Sequence, residues 1–239
     1  MGNKRKRKWW FKGMLGVVGI FKKKTKFVYL GEKITEPSVI LSNHVGSSGP
    51  LSFEMYMDTS FRLWGVHSMN DGLKSNYKYL SETYYHQKKG WNLTLARIFC
   101  LIASPIANLF YKGLELIPTY KDFRFRTTLR ESRKTIENGQ SLVIFPENSS
   151  DGYHDNITEF HIGALYFMEK MLQKGYDLPV FVAYYQRKTH IHVMDKPVRY
   201  SELIKEHGTN ENLLIFLRDR CNELGRMKFE DEKKSKKAK

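Results

Sequence analysis

The sequence of 239 residues predicts an α/β protein with a mostly parallel central sheet flanked by helices. Three apolar runs, SVILS, SLVIF and LPVFVAYY, have the length and the β-branched and aromatic content of buried strands. A helical pattern separates the second run from the third, and strand–helix–strand alternation is typical of parallel sheets. The length suits one domain with a sizeable core.

The remaining elements follow from apolar spacing and from residues that end helices. Residues 125–138 predict a helix that stops at Gly139, and residues 159–174 predict a second one. After LPVFVAYY, residues 190–194 predict another strand and residues 201–224 a final amphipathic helix.

An apolar stretch at residues 93–110 contains Pro105 near its middle. Proline breaks the helical hydrogen-bond pattern, so we expect two short helical pieces rather than one membrane-spanning helix. We expect this stretch to belong to the core, with contact to lipid as the alternative.

The net charge of +15 lies almost entirely at the two ends. Residues 1–27 contain ten Lys or Arg and no acid, and residues 226–239 contain seven against three acids. A nucleic-acid enzyme more often carries its basic stripe on the folded body, so no nucleic-acid partner is predicted. The pattern predicts a basic aromatic segment at 1–27, an α/β domain at 28–225 and a disordered tail at 226–239.

The N-terminal segment places Trp9, Trp10 and Phe11 between lysine-rich clusters. This composition predicts an amphipathic helix at a membrane interface, too short to span a bilayer, with a disordered basic tail as the alternative. Cys100 and Cys221 have no metal or disulfide spacing. We expect no metal and no cofactor, and a peripheral location on the cytoplasmic face of a membrane.

Two strand ends carry groups suited to chemistry. Asn43 and His44 follow SVILS, and Pro146 and Glu147 follow SLVIF. The carboxyl ends of parallel strands share one edge, so a base and a carboxylate are expected on one rim, as in an α/β enzyme. By contrast, His190 and His192 are expected to be surface histidines.

These residues belong to an ordered series of motifs. SVILSNH, VIFPENSSDG, FHIGALYF, LPVFVAYY and MDKPVRYSEL occur in that order between about residues 26 and 224. The series resembles the glycerolipid acyltransferases typified by lysophosphatidic acid acyltransferase.

The resemblance implies transfer of a fatty acyl group from acyl carrier protein, CoA thioester or acyl-phosphate to a hydroxyl of a lysophospholipid, such as 1-acylglycerol 3-phosphate. His44 would be the general base, and Glu147 would act in the acceptor site. The alternatives are a non-catalytic homologue that binds membrane lipids and an acyltransferase with a different lipid or glycolipid acceptor. The remaining candidate substrate-binding residues are Asn43, Ser47, Ser48, Lys121, Pro146, Asn148, Ser149 and Ser150.

Two departures from the family pattern bear on this expectation. The family has an aspartate five residues after the histidine, where this sequence has Gly49. Another acid such as Glu54 or Asp58, a serine or backbone carbonyl, or a loss of catalysis would each account for the change. The VIFPENSSDG motif also lacks the family's arginine, which is thought to hold the acceptor's phosphate, and Lys121 is one possible replacement.

Overall fold

The computed structural model describes residues 7–148 and 155–229. Its strands are β1 Lys26–Tyr29, β2 Val39–Ser42, β3 Phe61–Val66, β4 Ile117–Thr119, β5 Ser141–Ile144, β6 Pro179–Gln186, β7 Ile191–Met194 and β8 Val198–Arg199. Its helices are α1 Trp9–Phe21, α2 Ser48–Tyr56, α3 Leu73–Lys78, α4 Leu93–Leu114, α5 Phe125–Glu137, α6 Gly163–Leu172, α7 Tyr200–His207 and α8 Asn210–Arg226. A 3₁₀ turn at His67–Met69 and a π-helical segment at Tyr79–Lys88 complete the chain.

One eight-stranded sheet organises the fold. Seven strands lie in the order β1-β7-β6-β2-β5-β3-β4, and β8 pairs with β6. Neighbours from β6 through β4 are parallel, whereas β7 and β8 run antiparallel to β6. The predicted α/β class with a mostly parallel sheet is therefore confirmed. The carboxyl ends of β2, β3, β4, β5 and β6 form one rim.

The central strands bury both faces, which explains their uninterrupted apolar sequences. In β2, Val39 and Leu41 join a core on one side of the sheet, where α5, α6, α7 and α8 pack. Ile40 joins a second core on the opposite side, with side chains from α1, α2 and the end of α4. The predicted N-terminal apolar helix is present as α1.

Residues 201–224 form two helices where one is predicted. Gly208 adopts a φ of +73° between α7 and α8, a backbone region that favours glycine. Thr209 then caps α8 by accepting a hydrogen bond from the Asn212 backbone N–H at 3.2 Å. The glycine and the cap together redirect the chain.

The predicted break at Pro105 is wrong, because α4 is one continuous helix that contains this proline. The prediction that residues 93–110 belong to the core is also wrong, because α4 carries an exposed apolar face. The side chain of Asn92 caps its first turn, accepting from the Thr94 backbone N–H at 2.9 Å. By length and composition, α4 is the one helix among residues 7–148 and 155–229 that could cross a membrane.

Candidate active site at the strand-end rim

His44 lies at the carboxyl end of β2, where the chain turns sharply into α2. Val45 has a φ of +44° and Gly46 a φ of +61°. A β-branched residue rarely adopts positive φ, and such strain costs about 1–3 kcal/mol. The surrounding structure therefore holds this turn, and with it His44, against a local conformational preference.

Asn43 fixes the strand end before the turn. Its side-chain Oδ1 accepts a hydrogen bond from the Tyr185 backbone N–H at 2.6 Å, and its Nδ2 donates to the Tyr185 carbonyl at 3.2 Å. The side chain is fully buried. This geometry joins β2 to β6 and gives no support to the prediction that Asn43 contacts a substrate.

The imidazole of His44 lies in a partly apolar environment. Its ring packs edge-on against Phe145, with 4.9 Å between ring centroids. Burial and, to a smaller extent, the positive charge of Lys88 lower the pKa of His44 to about 4, although hydrogen bonding to the Gly46 backbone acts in the opposite direction. The ring is therefore neutral at pH 7, the form in which it can accept a proton.

Gly49 has a steric explanation. A Cβ at this position would lie 2.5 Å from the His44 carbonyl oxygen and 3.0 Å from the Asn43 carbonyl oxygen. The start of α2 thus packs directly against the backbone of the strand end. Any residue with a Cβ at position 49, aspartate included, would therefore require the backbone to move.

The two acids considered as substitutes for the aspartate act on other groups. Glu54 is buried and forms an ion pair with Arg7, from the segment before α1. Asp58 is exposed, and its charge acts on Tyr29. Of the orienting groups considered for His44, the backbone at Gly46 is one that influences the pKa of its ring.

Glu147 stands on the same rim as His44, because it follows β5, which is adjacent and parallel to β2. It pairs with Phe160 in an isolated bridge, and the His161 backbone N–H donates to the Pro146 carbonyl at 2.7 Å. Only 9% of Glu147 is exposed. The FHIG segment therefore holds the Pro146–Glu147 turn in place, which explains why the two motifs occur together.

Lys88, which no sequence motif singles out, supplies the positive charge of the site. It ends the π-helical segment and is half-buried. The positive charge of Lys88 lowers the pKa of His44, and the charges of Glu147 and Lys121 in turn shift the pKa of Lys88. Burial lowers the pKa of Lys88, the charge of Glu147 raises it and the charge of Lys121 lowers it. The carboxylate of Glu147 thus stands in a basic environment formed by residues far apart in sequence.

The other predicted site residues are more scattered. Lys121 is exposed, and Pro146 is buried beneath the turn. Ser47 is exposed, and the Oγ of Ser48 accepts a hydrogen bond from Lys22 at 3.4 Å. The side-chain amide of Asn148 donates to Glu159 at 3.0 Å. The predicted residues Ser149 and Ser150 lie outside the described residues.

His192 corrects our expectation of a surface histidine, because it is fully buried next to the turn. Its ring packs against Phe53 at 4.2 Å, Phe27 at 4.9 Å and Tyr185 at 5.0 Å between centroids. Burial lowers the pKa of His192 to about 3, opposed by hydrogen bonding to the Gly49 backbone. A neutral histidine thus supports the turn from below.

A histidine–carboxylate pair occupies another position on the rim. His67 follows β3, and its Nδ1 lies 2.5 Å from Asp71 Oδ2. The ring stacks on Tyr120 after β4, with 4.8 Å between centroids. A histidine directly after FRLWGV, with an aspartate four residues later, is a signal in the sequence that could have identified this pair. Among the described residues, no group of three His, Cys, Asp or Glu side chains is placed to hold a metal ion.

Neither protein-family profiles nor curated protein sequences give a match to this chain. Among solved structures, the chain is similar to the 1-acyl-sn-glycerophosphate (LPA) acyltransferase PlsC from Thermotoga maritima. The two are 14% identical with a TM-score of 0.46, and the similarity covers 91% of this chain and 82% of the other.

Proposed function

We propose that this protein is an acyltransferase that moves a fatty acyl group from an activated donor to a hydroxyl of a lysophospholipid such as 1-acylglycerol 3-phosphate. One observation carries the proposal: His44 and Glu147, which belong to the motif series, stand at the ends of adjacent parallel strands with Lys88 acting on both. The donor would be acyl carrier protein, CoA thioester or acyl-phosphate. A peripheral location on the cytoplasmic membrane face belongs to the same proposal.

In this mechanism, neutral His44 takes the proton of the acceptor hydroxyl as its oxygen attacks the acyl carbonyl carbon. The tetrahedral intermediate collapses by breaking the bond to the donor's sulfur or phosphate oxygen. The His44 imidazolium then gives its proton to the leaving group, which is a thiolate from a thioester donor or a phosphate from an acyl-phosphate donor. The strained Val45 turn supports the assignment, since strain concentrates at functional sites. Lys88 and Lys121 would bind the acceptor's phosphate.

The His44 assignment is tested with purified protein, lysophosphatidic acid in vesicles and each of the three donors. We expect His44→Ala to lower kcat by about 10²–10⁴-fold, the usual contribution of a general base. His67→Ala is the matched control, because His67 is also a rim histidine and is expected to retain activity within about threefold.

Equal turnover of wild type and His44→Ala would contradict the assignment, as would a loss confined to His67→Ala. Vesicle-bound lysolipid without turnover from any donor would favour the non-catalytic alternative, in which the protein only binds lipid. The non-catalytic alternative is tested because position 49 has no room for the side chain of an orienting aspartate.

The role of Lys88 is tested by Lys88→Gln beside Lys89→Gln, its exposed neighbour. A hydrogen bond to a charged group contributes about 1.5–3 kcal/mol, so Lys88→Gln should raise KM for the phosphate acceptor by roughly ten- to a hundredfold. Losing the Lys88 charge should also raise the pKa of His44, so the acid limb of the kcat/KM–pH profile should move to higher pH. Equal KM values for both variants would favour a neutral or sugar-bearing acceptor.

A further inference from the structure

Helix α4 has an exposed apolar stripe along its length. Six side chains on it are between 47% and 75% exposed: Leu95, Ile98, Leu101, Ile102, Ile106 and Leu109. At 1.5 Å per residue, this 22-residue helix is about 33 Å long. A soluble protein rarely leaves so long an apolar surface open to water, so a partner is expected to cover it.

The opposite stripe of α4 packs on the protein and fixes the orientation of the helix. Ala96, Cys100, Ser104 and Asn108 recur every four residues and are buried. Among these, Asn108 carries an amide that bare lipid would not satisfy, whereas the Ser104 hydroxyl donates to the Cys100 carbonyl within the helix. The helix therefore contacts the domain along one side and cannot cross a membrane alone without exposing this stripe.

Helix α1 packs on the end of α4 and adds further exposed apolar side chains. Phe11 of α1 is fully buried, with its ring 5.2 Å from that of Phe110. Gly113 of α4 leaves room for Phe11, since a Cβ at position 113 would overlap its ring. Elsewhere α1 exposes Trp9 at 84% and Phe21 at 82%. The exposed apolar side chains of these two joined helices make up the candidate surface.

The charges around this surface favour an anionic bilayer over a second copy of the chain. Neither α1 nor α4 contains an acidic residue, whereas Lys12, Arg97 and the exposed run at 22–24 are basic. Two copies would bring like charges together, while each cation near an anionic leaflet contributes about 1 kcal/mol. Trp91 is 42% exposed at the start of α4, where an indole suits the headgroup level.

We infer that α1 and α4 together insert into one leaflet of an anionic bilayer, with α4 lying in the membrane plane. This surface includes a helix from the middle of the chain, between β3 and β4, in addition to the basic N-terminal segment. The inference does not depend on acyl transfer, because binding to lipid can be measured without turnover.

Vesicle binding tests the inference, using equal parts phosphatidylglycerol and phosphatidylcholine beside phosphatidylcholine alone. The double variant Ile102→Glu/Ile106→Glu should bind the anionic vesicles at least about tenfold more weakly than wild type. Ile215→Glu is the matched control, since Ile215 is 45% exposed on α8, and should bind within about twofold. Circular dichroism and the unfolding midpoint should match wild type because these side chains are exposed.

The inference would be overturned if the double variant bound vesicles as tightly as wild type. It would also be overturned if the wild-type protein bound neither kind of vesicle. A wild-type dimer that the double variant converts to a monomer, without vesicle binding, would assign the surface to a second copy. Orientation is tested with dye-labelled Leu95→Cys and Leu109→Cys, since both native cysteines are buried. Equal quenching of both dyes by shallow brominated lipid is expected, and quenching at one end only would overturn the in-plane orientation.

Discussion

The two longest helices among the described residues, α4 and α8, differ in where their large apolar side chains lie. Helix α8 buries Leu213, Leu217 and Leu224 completely in the core beneath the sheet. Helix α4 buries mostly small or polar side chains, with Leu114 at its end as the exception, and exposes most of its leucine and isoleucine. Both helices show apolar residues at helical spacing, so spacing alone does not say whether the apolar side faces the core or a partner. The membrane surface inferred above would account for this difference, because lipid would cover the leucine and isoleucine side chains that the domain leaves exposed.

The largest difference should appear when one leucine is truncated in each helix. Leu217→Ala removes a fully buried side chain from α8 and should lower the free energy of unfolding by about 2–5 kcal/mol. Leu101→Ala removes a side chain that is 64% exposed on α4 and should change it by no more than about 0.5 kcal/mol. Urea unfolding without lipid measures both. A comparable loss for Leu101→Ala would mean that the domain itself covers α4.

Local sequence signals explain how far the fold and the site could be predicted. The central strands are buried on both faces, so their continuous apolar runs identify them without knowledge of their neighbours. The rim position of His44 and Glu147 follows from parallel strands alone. Gly208 is a stop signal between α7 and α8 that is present in the sequence, and the prediction of a single helix over residues 201–224 gave it too little weight.

Features that depend on tertiary contact were not available from the sequence. Lys88 belongs to the site because the π-helical segment ends close enough for its charge to influence His44 after β2 and to respond to Glu147 after β5. The steric requirement at Gly49 comes from the path of the His44 backbone. The exposure of α4 depends on which of its two stripes packs on the protein, and Pro105 gives no information about that choice.

The side of the sheet that packs on α2 also differs from the α8 side because it buries a histidine, His192, among aromatic rings. This difference should appear as a loss of stability at acidic pH. His192 has its pKa lowered from 6.5 to about 3, so the unfolded chain binds a proton between these values while the folded chain does not. Its contribution to stability is therefore present above pH 6.5 and is lost as pH falls towards 3. At pH 5 the loss is about 2 kcal/mol.

His192→Phe removes this titration while keeping a ring among Phe27, Phe53 and Tyr185. The decrease in unfolding free energy between pH 7.5 and pH 5 should therefore be about 2 kcal/mol smaller in His192→Phe than in wild type. Urea unfolding at both pH values measures the difference. His190→Phe is the comparison: burial lowers the pKa of His190 as well, but this side chain is only partly buried, so a smaller change is expected. The same pH dependence in His192→Phe and wild type would show that folding does not lower the pKa of His192, and the effect of burial among the aromatic rings would then be contradicted.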